Sequence, residues 1–235
     1  MSTANPTGPV KPRVLTVDTP GGPARVTLHD ADPAASGTAP VLLVLGHGAG
    51  GGIEARDLAA LAAALPADGV SVALVEQPWR VAGKKLAPAP ARLDEAWLAV
   101  LAALRERGEL DGRALVAGGR SAGARVACRT AGEVGAAAVL ALSFPLHPPG
   151  KPERSRVDEL TGAGVPVLVV QGGRDPFGRP EEFPALGPDD RLVEVPRGDH
   201  GFAVPKRAEA SLPDQEGALR LLTGAVRDWL RDRLG

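Results

Sequence analysis

Apolar positions follow two different spacings along this chain. Short, continuously apolar runs recur at Val41–Leu45 (VLLVL), Val70–Val75 (VSVALV), Ala114–Ala117, Ala138–Leu142, Val165–Val170 (VPVLVV) and Leu192–Val195. Runs of that length without polar alternation predict strands covered on both faces, as in a parallel sheet. Between them the spacing changes to three and four. Leu58, Leu61 and Leu65 share one helical face. So do Leu93, Trp97, Val100, Leu101 and Leu104, and near the end Leu219, Leu222, Val226, Trp229 and Leu230. These stripes predict amphipathic helices. A further helix is expected from Ala122 to about Ala131. Ahead of the first apolar run, Val14–Asp18 and Ala24–Asp30 flank Pro20-Gly21-Gly22-Pro23, which reads as an antiparallel hairpin. Residues 31–40 read as a loop.

Strands alternating with helices predict an α/β fold, a mostly parallel sheet with helices on both faces. One domain over residues 13–235 accounts for the pattern, and residues 1–12, polar and proline-rich, are expected to be disordered. Open parallel sheets bind ligands beyond the carboxyl ends of their strands. The loops at 77–92 and 143–156 follow strands and are candidate pocket walls.

Composition narrows the function classes. A formal net charge of −1 lacks the basic surplus of a nucleic-acid binder. A single cysteine excludes an intramolecular disulfide framework and a multi-cysteine zinc site. No run approaches 18 apolar residues, and no apolar stretch near the start resembles a signal peptide. A cytoplasmic protein with neither nucleic-acid nor membrane partners is the expectation.

Gly119-Arg120-Ser121-Ala122-Gly123 fits G-x-S-x-G between an expected strand and an expected helix. That setting is what a nucleophile elbow requires. A serine hydroxyl needs a base, and the base needs an orienting acid. In the chain order Ser…Asp…His, His200 is the only one of four histidines between the last strand and the last helix. Asp175 follows the run at 165–170 and precedes His200 by 25 residues. Asp199 adjoins His200, and side chains of adjacent residues diverge, so the acid role falls to Asp175. Gly46-His47-Gly48-Ala49-Gly50-Gly51-Gly52 follows the strand at 41–45. Backbone N–H groups of Ala49 and Gly50, with that of Ala122, are candidate oxyanion donors.

The same loop spells G-x-G-x-x-G at Gly46, Gly48 and Gly51, and Glu76 ends the next strand where a ribose-binding acid would stand. A dinucleotide-binding oxidoreductase is therefore a rival. It leaves the order of Ser121, Asp175 and His200 unexplained.

The three positions and the HGAGG loop together resemble the α/β-hydrolase superfamily over about residues 14–235. More narrowly, GHGAGG, GGRSAG, LSFPLHPPGKPERSR and VLVVQGGRDPFG look like one small hydrolase-like family. Its eukaryotic relatives include a testis-expressed protein and a subunit of a histone acetyltransferase complex. The size is also similar to that of dienelactone hydrolases. Those use a cysteine nucleophile, where this chain has Ser121; Cys128 reads as a small core residue. The resemblance implies an eight-stranded sheet with the second strand antiparallel, and a triad of Ser121, Asp175 and His200.

The segment 143–164 is too short for a large lid, so an open site is expected, with Trp79, Phe144, His147, Phe177 and Phe202 as candidate walls. The sequence therefore points to a cofactor-independent serine hydrolase that cleaves a small ester, thioester or related acyl compound. A non-catalytic hydrolase-fold module that binds a protein partner stands as the alternative.

Overall fold

The computed structural model describes residues 11–35, 40–206 and 212–235. The expectation for residues 1–12 therefore lies, except at Lys11 and Pro12, outside the described residues.

Eight strands form one sheet. In chain order they are β1 (Arg13–Thr19), β2 (Gly22–His29), β3 (Val41–Gly46), β4 (Val70–Glu76), β5 (Ala114–Arg120), β6 (Ala138–Leu142), β7 (Val167–Gly172) and β8 (Arg191–Val195). Their spatial order is β1-β2-β4-β3-β5-β6-β7-β8. β2 runs antiparallel to both its neighbours, and every pairing from β4 to β8 is parallel. The apolar runs behave as their composition dictates: β3, β6 and β7 are buried along their whole length.

Helices α1 (Arg56–Ala64), α2 (Pro78–Val81), α3 (Pro90–Glu106), α4 (Ala122–Thr130), α5 (Val157–Thr161) and α6 (Gln215–Leu234) cover the sheet. α3 and α4 help close one core, with Trp97 and Phe144 fully buried in it. α1 and α6 close the other, around Leu58, Leu61, Leu222 and Trp229. Two sandwiched layers of apolar side chains are what hold a parallel sheet in place.

The differences from the sequence pattern are local. β5 continues to Arg120 although Gly118 and Gly119 offer no side chain to a strand pattern. β7 starts at Val167 because Pro166 has no N–H for the ladder; its carbonyl accepts Val139 N–H at 2.9 Å instead. The short helix α2 lies within the stretch 77–92 that was expected to be loop, and α5 begins where the expected loop 143–156 ends. On α6 the buried stripe takes Ala218, while Leu219 is only partly buried.

One close approach fixes the geometry around residue 121. A Cβ on Gly119 would sit 2.5 Å from Gly46 O and 2.7 Å from Gly123 C. A Cβ on Gly123 would collide with Gly46 O as well. The obstructing atoms are backbone and cannot swing aside. Gly119→Ala is expected to lower stability by roughly 1–3 kcal/mol, the usual cost of overpacking. Urea unfolding of both proteins would measure it.

Candidate active site

Ser121 stands between β5 and α4 with φ 54° and ψ −112°, in a region that L-residues seldom adopt. Its N–H is held by Leu142 O at the end of β6, 2.9 Å away. Its carbonyl receives Arg125 N–H at 3.2 Å, so the helix begins at once. The side chain is thereby turned away from the helix. The first N–H groups of α4 have no partner within the helix and remain available to a ligand.

The residues that the sequence singled out as a set meet here. His200 Nε2 lies 2.9 Å from Ser121 Oγ, and His200 Nδ1 lies 2.7 Å from Asp175 Oδ2. The His200 side chain is 21% exposed and that of Asp175 is wholly buried. A carboxylate beside Nδ1 selects the ring form with the proton on Nδ1, leaving Nε2 to accept a proton from the serine.

Asp175 is itself held. Its Oδ1 accepts Phe177 N–H at 2.8 Å, and its Oδ2 accepts from Gln171 Nε2 at 2.9 Å. Gln171 is fully buried and also donates to Gly178 O at 2.7 Å. The Phe177 ring packs on the His200 ring with centroids 4.3 Å apart. The acid and histidine loops meet at Gly172, where a Cβ would sit 2.5 Å from Gly198 O. Asp199 builds the turn: its Oδ1 accepts the N–H groups of Gly201 and Ala203, both at 2.8 Å.

The β3–α1 loop passes over the elbow. A Cβ on Gly48 would lie 3.3 Å from Ser121 Cβ. His47 pins this loop. A carbonyl only accepts, so His47 Nδ1 carries the proton that it gives Gly48 O at 2.8 Å. His47 Nε2 then accepts Gln77 N–H at 3.1 Å. Burial holds the ring neutral, below the ordinary histidine range. Ala49 and Ala122 line one small chamber, and Ala49 and Gly50 are both exposed to solvent. The glycines of G-x-G-x-x-G have other duties here. Gly46 packs against Gly123 and Trp97, and Glu76 is paired with Arg25 at 3.1 Å.

Arg120 ties the three loops together. It donates to His200 O at 2.8 Å, and its Nε lies 3.3 Å from Asp57 Oδ2. Asp57, in the first turn of α1, is fully buried, and burial raises its pKa while Arg120 opposes the rise. Nothing in the sequence pattern singled out Gln171 or Asp57. Each is a polar residue ending or opening an apolar element, which is the only local sign of its role.

The candidate walls divide. Trp79 lines the chamber beside Ala122, and Phe177 covers His200. Phe144 and Phe202 are fully buried and fill the two cores instead. Their backbones bond to the site's supports, Phe144 O accepting from Gln171 Nε2 at 3.3 Å and Phe202 N–H donating to Asp199 O at 2.8 Å, while their side chains belong to the cores. His147 faces Glu182 at 2.9 Å and Pro148 O at 3.0 Å; these two acceptors raise its pKa. The buried Cys128 thiol is pushed up to about 12 by desolvation, so it is inert at neutral pH.

A family model described as an alpha/beta hydrolase domain matches residues 39–226. The chain belongs to this family. Solved structures agree in fold with the alpha/beta hydrolase described here. One is an α/β serine hydrolase without lid from Xanthomonas campestris, 22% identical, with TM-score 0.73 over 98% of each chain. Another is a dienelactone hydrolase from Anabaena variabilis, 18% identical, with TM-score 0.70 over 96% of this chain and 100% of that one. A third is an esterase from Pyrococcus furiosus, 15% identical, with TM-score 0.72 over 96% of this chain and 92% of that one. A search of the curated proteins finds no match, and these comparisons give no support to the narrower resemblance drawn from the four motifs. Among the described residues no helix is long and apolar enough to cross a membrane.

Removing Arg120 leaves the buried Asp57 without its cation. Arg120→Met is expected to cost roughly 3–5 kcal/mol in urea unfolding, and adding Asp57→Asn should recover part of that loss. His47 has a folded pKa below its ordinary 6.5. Its contribution to stability is therefore whole above pH 6.5 and is lost as pH falls through the depressed value. The stability difference between wild type and His47→Asn should shrink from about pH 7.5 to about pH 5.

Proposed function

We propose that this hydrolase-family chain is a serine hydrolase acting on small esters, thioesters or related acyl compounds. The observation that carries the reading is the unbroken hydrogen-bonded line from Ser121 Oγ through His200 to Asp175 Oδ2, with links of 2.9 and 2.7 Å. The esterase and serine-hydrolase names of the structural neighbours support the same class.

In this reading Ser121 Oγ attacks the acyl carbon as its proton passes to His200 Nε2. The imidazolium is stabilised by the buried Asp175 side chain. The oxyanion takes the N–H of Ala122 together with N–H groups from Ala49 and Gly50, donors worth about 3–4 kcal/mol each in acyl transfer. His200 returns the proton to the leaving group as the carbon–heteroatom bond breaks. Water, with His200 as its base, then releases the acid and restores Ser121. No cofactor enters any step. The setting proposed is the cytoplasm.

The test is kcat/KM on a phenyl acetate-type ester for the wild type, Ser121→Ala and Asp175→Asn. Ser121→Ala should lose at least about 10³-fold, and Asp175→Asn roughly 10⁴-fold with the fold intact. A folded wild type that gives no turnover above the Ser121→Ala background would return the chain to the protein-interaction reading.

A further inference from the structure

We infer that this site accepts acyl groups of only one or two carbons while leaving the alcohol or thiol side unrestricted. The inference rests on the proposed serine-hydrolase chemistry and assigns its substrate class.

The direction of each substrate arm follows from proton transfer. The leaving-group heteroatom must face His200 Nε2, the only proton source in the line, so it lies on the His200 side of Ser121. The oxyanion occupies the N–H donors. The acyl substituent is then left with the remaining side, away from His200.

That side is a nearly filled chamber. Ala49 and Ala122 form one wall, and Trp79, Trp97, Leu93 and Val126 form the others. None of its lining residues comes from the segment 172–202 that carries Asp175, Phe177 and His200. Its free volume is about 10 Å³. A single water needs roughly 10–15 Å³ on this measure, so the space admits about one methyl group. The walls do not yield easily. Trp97 is 1% exposed and abuts the Cβ position of Gly46 at 3.4 Å, and Val126 is 2% exposed. By contrast, a cleft of about 350 Å³ runs beside Gly201, next in the chain to His200, along Gly51 and Gly52. Arg120 and Gly201, the chain neighbours of Ser121 and His200, both line this cleft, so the leaving group is assigned to it.

Sulfonyl fluorides test this directly, because the serine displaces fluoride and the sulfonyl substituent takes the acyl side. Labelling rates of the full-length protein with methane-, butane- and octanesulfonyl fluoride would be followed by intact mass. Each added methylene in a tight apolar pocket is worth roughly 10–200-fold. Butanesulfonyl fluoride should therefore label at least about 100-fold more slowly than methanesulfonyl fluoride, and octanesulfonyl fluoride should not label. Leu93→Ala should narrow the methane-to-butane ratio by at least about 10-fold. Leu93→Val, a milder change, is read the same way if the alanine variant does not fold. Equal rates for methane and octane probes at Ser121 would overturn the short-acyl assignment and leave the serine-hydrolase reading standing. No adduct from any probe on folded protein would overturn both.

Discussion

The site depends on how closely α4 approaches the carboxyl ends of β3 and β5. Gly46, Gly119 and Gly123 meet there with no room for a Cβ on the last two. Because the helix must start directly above the sheet, the chain has no length in which to turn gradually. Ser121 takes the whole reversal in one residue, at φ 54°. The close-packed backbone of Gly46, Gly119 and Gly123 holds this strained residue and its hydroxyl at the carboxyl end of the central strand β5, beside a helix N-terminus.

Everything else in the site is arranged to meet that hydroxyl. The histidine loop is secured by Asp199 from within, by Gly172 from the acid loop and by Arg120 from the elbow itself. The β3–α1 loop is secured by His47. The histidines thus divide by environment. His47 is buried between a donor and an acceptor and stays neutral. His147 sits between two acceptors and is biased toward the charged form. His200 alone joins a hydroxyl to a carboxylate.

The strands and the long helices were legible because burial on both faces, or on one stripe, leaves a periodic trace. Ser121, Asp175 and His200 were legible because their chain order is tied to strand ends. The supports were not. Gln171, in β7, reaches Asp175 in the loop that follows, while Asp57 meets Arg120 across 63 positions of chain, and neither contact leaves a local period. Phe144 and Phe202 were misread as walls for a related reason. A residue's place in a loop after a strand gives its backbone position, and the direction of its ring depends on φ. Phe202 has φ 55° and turns into the core. The chamber's size was equally hidden, since it is set by Trp79 and Trp97 arriving from separate helices.

The proposed function requires Ser121 to be an activated nucleophile rather than a helix-capping serine. The most direct measurement is reaction of the wild-type protein with a small fluorophosphonate, with the adduct mapped by peptide mass. One adduct is expected, on Ser121, and it should fail to form in His200→Gln. A folded protein that stays unmodified, or that is modified elsewhere, would contradict the proposed function.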